Sequence, residues 1–221
     1  MAQNSGARTN IEKKSSREIN QAIKDLLKRS TRIRISGLSG QDNIAVGLKG
    51  NVEIDINGDA GRYLGAFNDG PVIVLDGNCG DLAADNQSRG GVIVRGDSGK
   101  NCGIFMLGGI LVIRGNSSTG LGKCNNGGTI IIDGDVYGDI GEDMKAGTII
   151  VTGHLGGSIG KKATGGILYT TEEPKKNQDD SLKMSDLSQS DISKLKRYFE
   201  HYRIDASPVG FRKYSFGKGG G

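Results

Sequence analysis

The chain has 221 residues, a formal net charge of +4 from 29 basic and 25 acidic side chains, 38 glycines, 3 prolines, no tryptophan and 5% aromatics. Collagen would need glycine at every third position and disorder would lack branched aliphatics, yet TIIIDG, GVIVRG and ILVIRG are dense with them. So mild a basic excess with so few aromatics gives little support to nucleic-acid binding, and three cysteines without a C-x-x-C argue against a disulfide framework.

No apolar run reaches the roughly 18 residues of a membrane span, and no signal-peptide core is visible. The expectation is a reduced, soluble, cytoplasmic protein without nucleic-acid or membrane partners. Residues 1–14 are expected to be an N-terminal tail. Residues 15–30 open with the capping box Ser15-x-x-Glu18 and carry Ile19, Ile23, Leu26 and Leu27 on one side, which predicts an amphipathic helix. RIRISG, with Ile33, Ile35 and Gly37, predicts an irregular first strand, and Gly37 stands 21 residues before Gly58.

From Gly58 a strict 19-residue period takes over: Gly58, Gly77, Gly96, Gly115, Gly134 and Gly153. Seven residues after each stand Gly65, Ala84, Gly103, Gly122, Gly141 and Gly160; thirteen after stand Pro71, Gly90, Gly109, Gly128, Gly147 and Gly166. Pairs such as Ile73/Leu75, Val92/Val94 and Ile130/Ile132 recur at the fifteenth and seventeenth positions. One short aliphatic strand with glycine corners cannot bury its own apolar face, but stacked on its neighbours it can. The expected fold of residues 31–170 is an all-β solenoid. It is a single-stranded parallel β-helix of about seven coils spaced by roughly 4.8 Å, right-handed by the usual crossover rule.

Within this lattice GNSSTGLGKCNNGG (115–128) resembles a phosphate loop only superficially. Ser117 stands where such a loop needs glycine, and Cys124 where it needs Ser or Thr after Lys123. Asp59, Asn78, Asp97, Asn116, Asp135 and His154 form a row expected to cap turns, each Asx bonding the backbone two residues on. Its carboxylates, roughly 10 Å apart, are too distant to share an ion. Cys79 and Cys102 read as small core fillers.

Val74, Ile93, Val112, Ile131, Ile150 and Tyr169 alternate with the inward residues and must face outward, so the sheet is apolar on both sides. This strip is the candidate packing or interface surface, to be covered by the chain's own helices or by a partner protein. Residues 171–187 read as a charged linker. Residues 188–203, with Ser188-x-x-Asp191 and the stripe Ile192, Leu195, Phe199 and Tyr202, predict a second amphipathic helix. Residues 204–221 are expected to be a tail, mobile or ordered on a partner.

His154 and His201 are the only histidines, too few for a three-histidine zinc site, and each reads as a solvent-side residue. No nucleophile elbow or separate carboxylate pair stands out. No catalytic, cofactor-binding or metal-ligating residues are therefore expected.

Coils such as GDAGRYLGAFNDGPVIVLDG and GDVYGDIGEDMKAGTIIVTG resemble the glycine-repeat β-helix at the C-terminal end of the glutamate synthase large subunit, the GXGXG domain. The same module resembles the β-helix subunits of formylmethanofuran dehydrogenase and of methylamine–glutamate N-methyltransferase. The flanking helical segments look like those of free-standing archaeal-type subunits. The resemblance implies a scaffold and docking role in glutamate biosynthesis, with amidotransferase, FMN and iron–sulfur clusters on partner subunits and no cofactor in this chain. It leaves open which of these related complexes the chain serves. Two further alternatives also stay open: a free-standing enzyme using a surface groove near Asp97 or Asp135, and a homo-oligomer built on the apolar strip.

Overall fold

A computed structural model describes residues 6–174 and 182–217. One 11-stranded sheet runs through the molecule in the order β1-β2-β3-β4-β5-β6-β7-β8-β9-β11-β10. Strands β1 (Ala7–Asn10), β2 (Arg32–Gln41), β3 (Glu53–Ala60), β4 (Asp69–Asp76), β5 (Arg89–Val94), β6 (Ile110–Ile113), β7 (Asn126–Ile132), β8 (Ala146–Val151) and β9 (Ile167–Thr170) follow one another in sequence, each parallel to the last. Ile54, Ile73, Val92, Leu111, Ile130, Ile149 and Leu168 are direct register partners up the stack, all fully buried. The all-β solenoid and its 19-residue rung are thus present, with helices α1 (Ser16–Leu27) and α2 (Gln189–Tyr202) flanking it.

The glycine lattice stands one rung above another. Gly96 donates its amide to the Gly77 carbonyl (3.0 Å), Gly115 to Gly96 (3.1 Å) and Gly153 to Gly134 (3.1 Å). A methyl on Gly115 would overlap the Asp97 carboxylate and lie 2.9 Å from the Gly96 carbonyl carbon. At the next corner Gly122 has φ +63, and an added Cβ would meet the Ile149 methyl at 2.8 Å. Here the left-handed backbone favours glycine, and the tight core leaves little room for a side chain. Leu82, Ala84 and Asn86 show that φ is positive at every second residue of this corner. Their amides alternate in direction: Leu82 donates to Lys100 above, Ala84 to Leu64 below, and Asn86 to Ile104 above. Each corner therefore satisfies both neighbouring coils with few side chains involved.

Both ends are closed. Ser15 caps α1 with a full capping box, and Ile19 and Ile23 are buried in the main core beside Ile11. Asn20 ties α1 to the first coil, donating to the Asn43 carbonyl (2.7 Å) and accepting from the Ala45 amide (2.9 Å).

Three segments differ from the expectation. Residues 1–14, read as a tail, contain β1, which extends the stack because Ala7 to Asn10 pair with Ile33 to Ser36 on the otherwise open edge of β2. The linker 171–187 contains β10 (Lys183–Ser185), and its residues 175–181 lie outside the described residues. The C-terminal tail contains β11 (Arg212–Ser215), antiparallel to β9, so the last coil is also edge-paired. Phe211, Tyr214 and Phe216 are buried there, with Phe216 lying against the Gly160 corner; residues 218–221 lie outside the described set.

Candidate docking face

The outer side of the sheet is built from the residues that alternate with the core. Val112, Ile131, Ile150 and Tyr169 are buried there, forming a second apolar cluster with Leu195, Phe199, Ile204 and Phe211. This half of the predicted strip is therefore covered by the chain's own C-terminal helix. Helix α2 crosses the strands at a steep angle, meeting one strand with each turn. Asp191 sits at Tyr169 on β9, Lys194 Nζ bonds Thr148 Oγ1 on β8 (3.1 Å), Tyr198 meets Thr129 on β7 (3.5 Å), and the Tyr202 carbonyl accepts from Arg114 just after β6 (2.9 Å). The fit has a simple origin: a helical turn rises about 5.4 Å and parallel strands lie about 4.8 Å apart. Residues three or four apart on the helix thus find successive rungs.

Asp191 anchors this arrangement. It is the third helical residue of the capping box with Ser188, and only 6% exposed. Its carboxylate accepts from Ser188 N (3.0 Å), Ser188 Oγ (2.6 Å), Tyr169 Oη and Lys213 Nζ (3.2 Å). Burial pushes this carboxyl up, but the hydrogen bonds from Ser188, Tyr169 and Lys213 outweigh it and hold the group well below the usual carboxylate range. Burial, and then the neighbouring Asp191, raise the Tyr169 hydroxyl above the ordinary tyrosine value.

The other predicted residues fall elsewhere on the strip. Val74 and Ile93 are half-buried and Val72 beside them is 39% exposed; Ile93 packs at the margin of the α2-covered cluster, whereas Val72 and Val74 lie outside it. Two adjoining hollows lie over this stretch, of about 620 and 570 Å³. The strip is thus divided: one half is sealed by α2 and the other is open.

The Asx row does something other than cap its own turns. Each side chain reaches the amide of the equivalent residue one coil on: Asn78 N donates to Asp59 Oδ1 (2.7 Å), Asp97 N to Asn78 (2.9 Å), Asn116 N to Asp97 (2.7 Å), Asp135 N to Asn116 (2.9 Å) and His154 N to Asp135 (2.8 Å). Stacking brings the next coil's amide closer than the one two residues along the same turn. Both Asp97 and Asp135 thus commit an oxygen to architecture. Asp97→Asn keeps that acceptor and is expected to leave the urea midpoint almost unchanged, whereas Asp97→Ala loses about 1 kcal/mol. Equal losses in the two variants would mean that charge, not the inter-coil bond, matters.

His154 bonds Glu172, whose second oxygen accepts from the Leu155 amide (2.8 Å). This strap closes the last corner, and Glu172 raises the His154 pKa. A raised folded-state value stabilises below the unfolded value near 6.5 and fades as pH rises through the folded one. The difference in stability between the wild type and His154→Ala is accordingly expected to shrink as pH is raised from about 6 to about 8, a window that starts near the ordinary histidine value and runs upward through the raised folded one. His201 lies edge-on to Tyr202 at the end of the open hollow.

Cys79 and Cys102 are buried in the core, where contact with Cys102 and then burial push the Cys79 thiol well up. Cys124 is likewise pushed up by burial. Lys123 of the glycine-rich loop 115–128 is paired with Glu142 one coil on (2.7 Å), so its charge is neutralised within the stack. Among the described residues no three His, Cys, Asp or Glu side chains gather as a metal site, and no helix is long and apolar enough to cross a membrane.

An interior row escaped the sequence reading. Asn68, Gln87 and Asn125 are fully buried at the tenth position of their repeats. Asn125 Oδ1 accepts from Gly127 N (3.2 Å) and Gly128 N (2.9 Å), while its amide donates to the Gly128 carbonyl (3.0 Å). Amides recurring in register among glycines were the available signal.

The comparisons with known proteins agree with this architecture. Over 80 residues the chain is 30% identical to Protein GlxC of Rhizobium meliloti (strain 1021), a match covering 35% of this chain and 35% of that protein. The chain therefore spans about a third of the relative's length in that match. The GXGXG motif profile matches residues 2–208, which takes in both helices and β1 but stops before β11. With nearly its whole length in that match and the 19-residue glycine lattice stacked rung on rung, the chain belongs to the GXGXG motif family.

Proposed function

We propose that this protein is a non-catalytic scaffold and docking subunit of a glutamate-synthase-like oxidoreductase complex, holding amidotransferase and flavin or iron–sulfur partners. The observation that carries the reading is the divided strip: an outer apolar surface continuous with the one α2 seals, yet left open over Val72 and Val74, with Ile93 half-buried at its margin. Membership of the glycine-repeat family supports it. So does the commitment of the repeated polar side chains to inter-coil bonds, which gives a stiff rod and leaves little chemistry on the ladder.

Affinity purification of the tagged chain from its native cells tests the proposal. Expected are co-eluting proteins with a flavin absorbance spectrum and glutaminase activity, neither of which the chain shows by itself. Recovery of a lone chain that turns over a small substrate, with activity lost in Asp97→Asn or Asp135→Asn, would instead establish the enzyme reading.

A further inference from the structure

Helix α2 ends over β6, where Arg114 holds its last carbonyl, while the outer sheet face continues toward β2. The two hollows over that face share Val74 and Arg95, so they form one trough; Val72, Val74 and Ile93 floor the half nearer α2, and Arg34, Asp55 and Asn57 line the half beyond. Its lining is strongly basic. Asp55 and Asp76 are the acids on it; Asp55 is taken by Arg34 (3.2 Å) and Arg32 (3.5 Å), and Asp76 is held loosely by Arg95 (3.7 Å). Arg114 is paired with Asp133. Arg8 and Arg203, at opposite ends of the trough, have no acidic partner among the described residues.

We propose that this trough receives an amphipathic helix of a partner protein, carrying carboxylates beside its apolar stripe and lying end to end with α2. Three observations converge on that occupant. The same sheet face is already covered by a helix one coil further on, at one turn per strand, so a second helix in line with it meets Ile93 and Val74 with residues three or four apart. The aliphatic floor asks for an apolar stripe, and the arginines along the walls ask for negative charge beside it. A second copy of this chain fits poorly, because a two-fold contact would set one arginine rim against the other. The inference rests on the scaffold reading and specifies the element through which a partner docks.

The test uses the full chain and two synthetic helical peptides of about 16 residues, enough to span the trough. Both carry leucines at helical spacing; one has flanking glutamates, the other lysines at the same positions. In fluorescence anisotropy the glutamate peptide is expected to bind saturably and to weaken as salt is added. Ile93→Asp should weaken it about tenfold or more, while Leu107→Asp, on another exposed surface, should not. The double variant Arg95→Glu/Arg203→Glu should lose the glutamate peptide and gain the lysine one. Thermal melts confirm that each variant folds.

Equal binding of both peptides, no saturation, or indifference to Ile93→Asp would each overturn the proposal. So would a wild-type dimer in sedimentation that Ile93→Asp disperses, since the occupant would then be a second copy. Native co-purification separates this proposal from the scaffold reading. If partners still co-elute but neither peptide binds, the trough is wrong and the scaffold stands; if the glutamate peptide binds but no flavin or amidotransferase partner is recovered, the reverse holds.

Discussion

Asp191→Ala is expected to detach α2 from the sheet, with a loss of about 3–5 kcal/mol, because it removes a buried carboxylate and leaves both its ion-pair partner and its hydrogen-bond donors behind. The substitution strands Lys213, whose side chain is 25% exposed, and the hydroxyl of Tyr169, which is 1% exposed. It also removes the reciprocal half of the capping box at Ser188, so the first turn of the helix loses an acceptor as the sheet loses its anchor. Hydrogen exchange is the measurement that localises the effect. Protection should fall over 189–202 and over β11, which pairs with β9 beside the anchor, while β3 to β7 retain theirs. Asp191→Asn keeps an oxygen for Ser188 and Tyr169 and should cost markedly less. An Asn variant as damaging as Ala would show that charge pairing with Lys213, rather than the hydrogen bonds, carries the anchor.

The same residue fixes a pH dependence. Its folded-state pKa is depressed, so its contribution is complete above the unfolded value of about 3.9 and is lost as pH falls through the lower folded value. The stability gap between wild type and Asp191→Ala should stay constant from neutral pH down to about 4.5 and close only in more acid solution. A gap that closes between pH 5 and 7, roughly where histidine titrates, would point to a different group.

The period was legible because stacking repeats the same physical demand every coil. At Gly115 and Gly122 the backbone or core of the neighbouring coil stands where a side chain would go, so the requirement is written into the chain at fixed intervals. The outward strip was legible too, since residues alternating with Ile130 and Ile132 have no other side to face. What the sequence did not announce is what happens once. Strand β1 contains one aliphatic residue, Ala7, in four, and it is a strand only because β2 offers an unpaired edge. The tail that ends in β11 is ordered by a cavity in the last coil that Phe216 fills, and such a cavity exists only after the stack has formed. The division of the strip has the same character: one turn per strand and a 14-residue helix fix how far α2 reaches, and the residues beyond it are left open.

Gly58→Ala and Gly50→Ala are expected to differ sharply although both glycines have positive φ, +108 and +92. At Gly50 an added methyl meets nothing within 4 Å, so the variant bears only the conformational penalty, about 1–2 kcal/mol. At Gly58 the methyl would overlap the Leu38 carbonyl oxygen and lie 2.8 Å from its carbon, and both atoms belong to the backbone of the coil below. Backbone cannot rotate aside as a side chain does. The two coils must separate or the strand must shift, adding about 1–3 kcal/mol of overpacking strain. The total for Gly58→Ala is then about 2–5 kcal/mol, read as a lowered urea midpoint by circular dichroism. Gly58 also sits where the irregular 21-residue coil meets the regular lattice, with Leu38 and Gly58 as register partners across a bulge. Strain there should loosen β1, β2 and the α1 cap before the later coils, and hydrogen exchange should show that order. Similar losses in the two variants would mean that the left-handed backbone, rather than the close approach of stacked coils, is what the repeating glycines supply.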